Sequence, residues 1–98
     1  MSQPNPQPTI RVNKTTDYRE SYANSVQLRV NLWDFFLMFG LLSQTAPDAV
    51  SIECFQGIYL SPQQAKALYN VLHQNITQYE AAFGEIRLEP RGGGAVVQ

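Results

Sequence analysis

The chain has 98 residues, a length for one domain, and a chain of that size removes roughly 65% of its unfolded surface from water on folding. Hydrophobic residues make up 44% and charged residues 15%, against about 25% charged in ordinary soluble domains, so the surface must be poor in charge. Seven Lys and Arg against eight Asp and Glu announce neither a strongly basic surface for a polyanion nor an acidic tail, and near-neutrality favours association over repulsion.

Residues 1–8 carry three prolines among Ser, Gln and Asn, a composition that buries too little apolar area to offset its ordering entropy, so a disordered N-terminal tail is expected. No basic stretch followed by an apolar one is present, so this start does not read as a secretory signal, and a cytoplasmic location is expected. Ile10 and Val12 alternate with Arg11 and Asn13, which predicts a short edge strand before a polar link from Lys14 to Ser21. From Tyr22 the alternation strengthens. Val26, Leu28, Val30 and Leu32 share one parity and Gln27, Arg29 and Asn31 the other, the pattern of a half-buried strand.

Asn31 and Asp34 bracket a tight reversal, with Asp34 read as a turn cap. The run that follows is apolar on both parities, with Phe35, Leu37, Phe39 and Leu41 on one face and Phe36, Met38 and Leu42 on the other. Such a strand needs cover on two sides. The longest apolar stretch, Leu32 to Leu42, is about half of the roughly 20 residues that span a bilayer, which argues against a membrane partner. After a loop from Ser43 to Asp48, Val50, Ile52, Cys54, Ile58 and Leu60 share a parity, and a third strand closes an antiparallel meander. Ser51, Glu53 and Gly57 lie on the other face, and Phe55 and Tyr59 blur the pattern.

Ser61-Pro62-Gln63-Gln64 combines a hydroxyl N-cap, Pro at the first helical position and Gln at the third, the start signal of a helix. Ala65, Leu68, Leu72, Ile76, Tyr79 and Phe83 recur at three or four residues and make one stripe, and Gly84 is the natural stop. At about 1.5 Å per residue the helix is on the order of 33 Å long. A typical strand is roughly 20 Å, so its C-terminal half is expected to reach past its own sheet. The single α+β domain is placed at residues 9–90, with a flexible tail at 91–98 containing the run Gly92-Gly93-Gly94. With no Lys-Ser/Thr and no helix after it, that run does not read as a phosphate loop.

Chemistry finds little to hold. His73, the lone histidine, has Tyr69, Asn70, Ile76 and Thr77 as helical neighbours, none a strong acid or metal ligand. Cys54, the lone cysteine, reads as core filler in an apolar strand. Asp34, Glu53 and Glu80 come from separate elements. No catalytic, cofactor-binding or metal-binding residue is therefore assigned, no cofactor is expected, and the chain reads as a non-enzyme. Arg11, Lys14, Arg19 and Arg29 with Tyr18 and Tyr22 are the one candidate nucleic-acid cluster, interrupted by Asp17 and Glu20, which makes nucleic acid an unlikely partner.

The strongest feature is a mismatch between apolar surface and available cover. One helix covers one face of a three-stranded sheet, and the second face needs something else. Ile10 to Val12 with Ile86 and Leu88 could fold over it, or a second copy could. The polar face of the helix, Gln63, Gln64, Asn70, Gln74, Asn75 and Gln78, consists of neutral amides that tolerate burial better than ions. Both features favour a symmetric homo-oligomer, most simply a dimer. The candidate interface is Phe35, Phe36, Leu37, Phe39, Leu41, Tyr79 and Phe83, with a protein or peptide client as the further candidate partner.

A set of local strings carries a resemblance over residues 22–86. These are Tyr22-Ala23-Asn24, Asp34-Phe35 with Phe39-Gly40, Leu60-Ser61-Pro62-Gln63-Gln64-Ala65-Lys66, Asn75-Ile76, Tyr79-Glu80 and Phe83-Gly84-Glu85-Ile86. Their order and spacing resemble the small prokaryotic domain-of-unknown-function family numbered three-four-six-seven. The resemblance implies a compact cytoplasmic domain with no assigned activity, cofactor or catalytic residue. Met38 stands where that family commonly has an aspartate, which makes the middle strand more apolar still. In topology alone, a meander followed by a long helix resembles the export chaperone SecB, and implies binding of apolar peptide segments as an alternative function.

Overall fold

The computed structural model describes residues 7–88. Residues 1–6 and 89–98 lie outside it, and with them nearly all of the expected N-terminal tail, the whole C-terminal tail and the glycine run. Strands β1 (Ser25–Val30), β2 (Phe35–Ala46) and β3 (Ala49–Leu60) form one antiparallel sheet in the order β1-β2-β3, and helix α1 (Pro62–Phe83) follows. The fold is α+β, a meander and a long helix, as the sequence patterns predict.

Residues 7–24 contain no strand. Ile10 and Val12, expected in an edge strand, are 82% and 88% exposed. Two alternating residues bring too few cross-strand contacts to offset ordering the backbone, and the chain runs as an extended arm that makes one turn, closed by Tyr18 N–H donating to Thr15 C=O at 3.1 Å.

Asn31 builds the β1–β2 reversal. Its Oδ1 accepts from the N–H groups of Trp33 (2.8 Å) and Asp34 (2.9 Å), while its own N–H donates to Asp34 C=O at 3.0 Å. An Asn side chain thus replaces the backbone acceptor a tight turn needs. Of the two side chains expected to cap this turn Asn31 does so, whereas Asp34 Oδ1 is buried without a partner. Leu32 falls in this turn and is exposed, because the ladder ends at Val30 opposite Phe35.

The β2–β3 connection is shorter than expected. Both strands continue to a two-residue turn at Pro47–Asp48, and Gln44 Nε2 donates to Pro47 C=O at 2.9 Å. Proline fixes its own φ and has no N–H to donate, so it suits the turn and not the ladder.

The larger correction lies in mid-strand. Phe39 pairs with Gln56 but Gly40 pairs with Cys54, leaving Phe55 as an extra residue in a β-bulge. Directly paired residues share a face. Leu60 and Ile58 therefore lie with Phe35 and Leu37, whereas Cys54 and Ile52 lie with Gly40 and Leu42 on the opposite face. Val50, Ile52, Cys54, Ile58 and Leu60 are not one face. An inserted residue inverts a period of two, and a parity count runs straight through it.

Ser61 caps α1, its Oγ accepting from Gln64 N–H at 3.1 Å, with Pro62 in the first turn. Gly84, at φ 107°, ends the helix and donates its N–H to Glu80 C=O at 2.9 Å. Glu80 Oε2 in turn accepts from Ile86 N–H at 3.0 Å. Only the first half of α1 meets the sheet. Ala65, Leu68, Tyr69 and Leu72 face Leu28, Phe35, Leu37 and Leu60 around a cavity of about 250 Å³. Beyond Leu72 the stripe is exposed, with Phe83 at 76%.

Among the described residues no hydrophobic side chain is buried, and the buried positions are Ser25 and its ladder partner Gly40. The radius of gyration is 18.4 Å, against about 13 Å for a compact domain of this length. At Gly40 an added Cβ would stand 2.8 Å from the Glu53 carbonyl oxygen and 3.2 Å from Cys54 Cα, both backbone. At Gly57 it would meet only the Phe36 ring, at 2.7 Å. Gly40→Ala should therefore destabilise by about 1–3 kcal/mol, the range for overpacking, and Gly57→Ala by less because a ring can turn aside. Urea midpoints measure both, and equal midpoints would contradict the close approach at the bulge.

Candidate interaction surface

The bulge and the arm divide the apolar residues into three surfaces. Toward α1 the sheet presents Val26, Leu28 and Val30 of β1, Phe35, Leu37, Phe39 and Leu41 of β2, and Ile58 and Leu60 of β3. The helix takes one end of this face. At the other end, Arg19, Ser21, Tyr22 and Ala23 of the arm line shallow pockets with Phe39, Leu41, Phe55 and Ile58. Of the expected interface residues, Phe35, Leu37, Phe39 and Leu41 belong here.

The opposite face has no cover from within the described chain. Its organising row is Arg29, Phe36 and Tyr59, ladder partners across all three strands. The Phe36 and Tyr59 rings are 4.5 Å apart, tilted by 39°, and the Arg29 guanidinium lies 4.7 Å from the Phe36 centroid. Gly57, beside Tyr59, leaves the space the Phe36 ring occupies. Of the expected interface residues Phe36 alone lies here, while Arg29 and Tyr59 are additions, and Tyr59 had shown itself in sequence as a break in the alternation. Cys54 is exposed on this face, so it is not core filler; the bulge turns it away from α1. Tyr79 and Phe83 form the third surface, their rings 4.9 Å apart and tilted by 48° at the free end of the helix.

Groups able to do chemistry are scattered. His73 stacks on Tyr69 at 6.0 Å, and its carbonyl accepts from Thr77 Oγ1 at 2.8 Å. Among the described residues no three His, Cys, Asp or Glu side chains come together. The Thr15 hydroxyl donates to Asp17 Oδ1 at 2.6 Å and holds that carboxyl below its ordinary value of 3.8, while Tyr18 donates to Glu20 at 2.7 Å and its phenol is raised above 10.0. Both pairs are exposed, local contacts of the arm. The basic residues do not form one patch: Arg29 lies over Phe36, Arg19 borders Phe39 on the opposite side of the sheet, and Lys14 lies over Tyr18 at 5.0 Å. No helix among the described residues is long and apolar enough to cross a membrane.

A sheet with apolar side chains on two faces and a helix engaged over half its length define a small α+β meander domain with an unusually open interior. The chain belongs to the family described as Protein of unknown function (DUF3467), which matches residues 1–88. No curated protein and no solved structure matches it.

The aromatic row makes a direct prediction. Arg29→Gln should destabilise by about 0.5–1 kcal/mol, the scale of an exposed cation–π contact, and Arg29→Lys should recover part of it. Guanidinium chloride midpoints of the three proteins read this out, and no loss in Arg29→Gln would remove the contact from the account.

Proposed function

We propose that this chain is a non-enzymatic interaction module that completes its fold as a homo-oligomer, its apolar strand and helix surfaces covered by further copies of itself. One observation carries the reading: no hydrophobic side chain among the described residues is buried within the single chain. The accessible surface is 8968 Å², where a compact monomer of this mass exposes about 5,700 Å². Folding of one copy thus removes about 44% of the unfolded surface instead of roughly 65%. Domains at this size are marginal even with a full core. The free, exposed thiol of Cys54 suits a reducing compartment and supports a cytoplasmic location for the module.

A second reading, capture of apolar peptide segments, has one observation in its favour, the cavity of about 250 Å³ between α1 and the sheet, lined by Leu28, Phe35, Leu37, Leu60 and four helix residues. A hydrophobic dye separates the two. The native oligomer binds none if its surfaces are consumed by assembly, and binds strongly if they stay open for a client.

Light scattering at micromolar concentration should give a mass of two or more chains. Phe39→Asp places a charge among the apolar side chains and should abolish assembly, while Cys54→Ala and His73→Gln leave mass and helix content unchanged. A stable wild-type monomer, or a turnover lost in His73→Gln with assembly intact, would overturn the reading. Leu72 is 48% exposed in one chain, so Leu72→Ala distinguishes the two states of its surroundings. Covered by a partner, it should cost about 2–5 kcal/mol; left open, it should stay near the 0.5 kcal/mol of surface substitutions. Denaturant unfolding at fixed chain concentration measures it, and the larger value is expected.

A further inference from the structure

We infer that the copies join edge to edge through β3, Ala49–Leu60 of one chain pairing antiparallel with the same strand of a second copy about a twofold axis, to give a six-stranded sheet. The inference rests on the self-association reading and adds to the covered faces a contact along one edge of the sheet.

The strand order leaves β1 and β3 at the two edges, and they differ in length and charge. β1 has six residues and carries Arg29. Just before it begins, the Asn24 side chain continues the ladder in place of a peptide group. Leu42 N–H donates to Asn24 Oδ1 at 2.7 Å, and Asn24 Nδ2 donates to Leu42 C=O at 3.4 Å. The arm then turns over the α1 face. On that side β2 has a partner for its backbone as far as Leu42.

The β3 edge is different. It has twelve residues, AVSIECFQGIYL, with no proline, no lysine and no arginine, and it exposes Phe55, Ile58 and Tyr59. Its one formal charge, Glu53, accepts from Ser51 Oγ at 3.1 Å. Proteins that keep strand edges apart use short strands, Lys, Pro, bulges or a covering element. Here the bulge at Phe55 is the one such device within the strand, and it leaves regular runs at 50–54 and 56–60.

A second copy is the occupant that the surface arithmetic favours. The exposed surface of the chain, its extended arm included, exceeds that of a compact monomer by roughly 3,000 Å², which leaves room for an interface of standard size, about 800 Å² per partner. An isologous pairing of identical edges closes on itself, so it forms a discrete dimer and not a fibre. It also sets no like charges opposite one another unless the axis falls at Glu53.

Twofold symmetry makes the proposal sharp. At the axis a residue faces its own copy, and each step along the strand separates the copies by about 6.8 Å, twice the rise per residue. A disulfide closes only with Cα atoms about 4.4–6.8 Å apart. In a Cys54→Ser background, single substitutions Val50→Cys, Ser51→Cys, Ile52→Cys, Gln56→Cys, Ile58→Cys and Tyr59→Cys, with wild-type Cys54 and the helix control Gln78→Cys, are oxidised and run without reductant. The expected result is a covalent dimer at one position, or two adjacent ones, with yield falling steeply on both sides and none at Gln78. Variants that do not keep the wild-type mass in reductant are set aside. Hydrogen exchange on the wild-type protein is the second measurement, and the β3 amides pointing away from β2 should be protected. An oligomer with no cross-link along β3 and fast exchange of those amides overturns the edge pairing and leaves self-association standing. A monomer overturns both.

Discussion

β2 carries Phe35, Leu37, Phe39 and Leu41 toward α1 and Phe36, Met38 and Leu42 away from it, so neither side can be left to water without leaving large apolar groups in contact with it. The neighbours on each side answer only in part. β1 is half as long as β2, α1 engages one end of one face, and the arm reaches the other end with small or polar residues. A chain organised around such a strand has more apolar surface to bury than elements to bury it with, and that surplus is what the proposed self-association would cover.

The bulge at Phe55 decides how that surplus is shared. Without it, Ile52 and Cys54 would join Ile58 and Leu60 on the helix face and leave Ser51, Glu53, Phe55, Gly57 and Tyr59 on the opposite one. With it, the sheet is two-sided along its whole length, and Cys54, Ile52 and Tyr59 stand with Phe36 and Arg29. The close approach of Gly40 to the backbone of Glu53 and Cys54 is the packing cost of this crossing, and a residue without Cβ is what permits it.

Much of the fold was legible because its signals are local. The Ser61-Pro62 cap, the stripe from Ala65 to Phe83 and the stop at Gly84 each depend on residues within one turn of each other, and the helix lies where they place it. The alternation of Val26, Leu28 and Val30 has the same character. What the sequence could not show is whatever depends on a partner strand: the bulge, visible only against Phe39 and Gly40, and the transfer of Cys54 to the uncovered face. Ile10 and Val12 failed as a strand for a related reason, since alternation without a neighbour to pair with has no ladder to join. The candidate surface was legible by composition, in Phe35 to Leu41, but not by geometry. One apparent patch is divided between two faces, and Tyr79 and Phe83 stand at the end of a lever.

The strand order has a kinetic consequence. Each element neighbours the one before it in the chain, through two tight hairpins and a direct passage from β3 into α1. Topologies made of such short-range contacts fold quickly, hairpins closing in about 1–10 μs. The sheet can therefore be in place as soon as Leu60 has been made, before a second chain is met. Subunit assembly is slower and depends on concentration. Under the proposed self-association, the rate of reaching the assembled state in dilute solution is set by how often two chains collide, and it rises with chain concentration while the formation of the sheet does not.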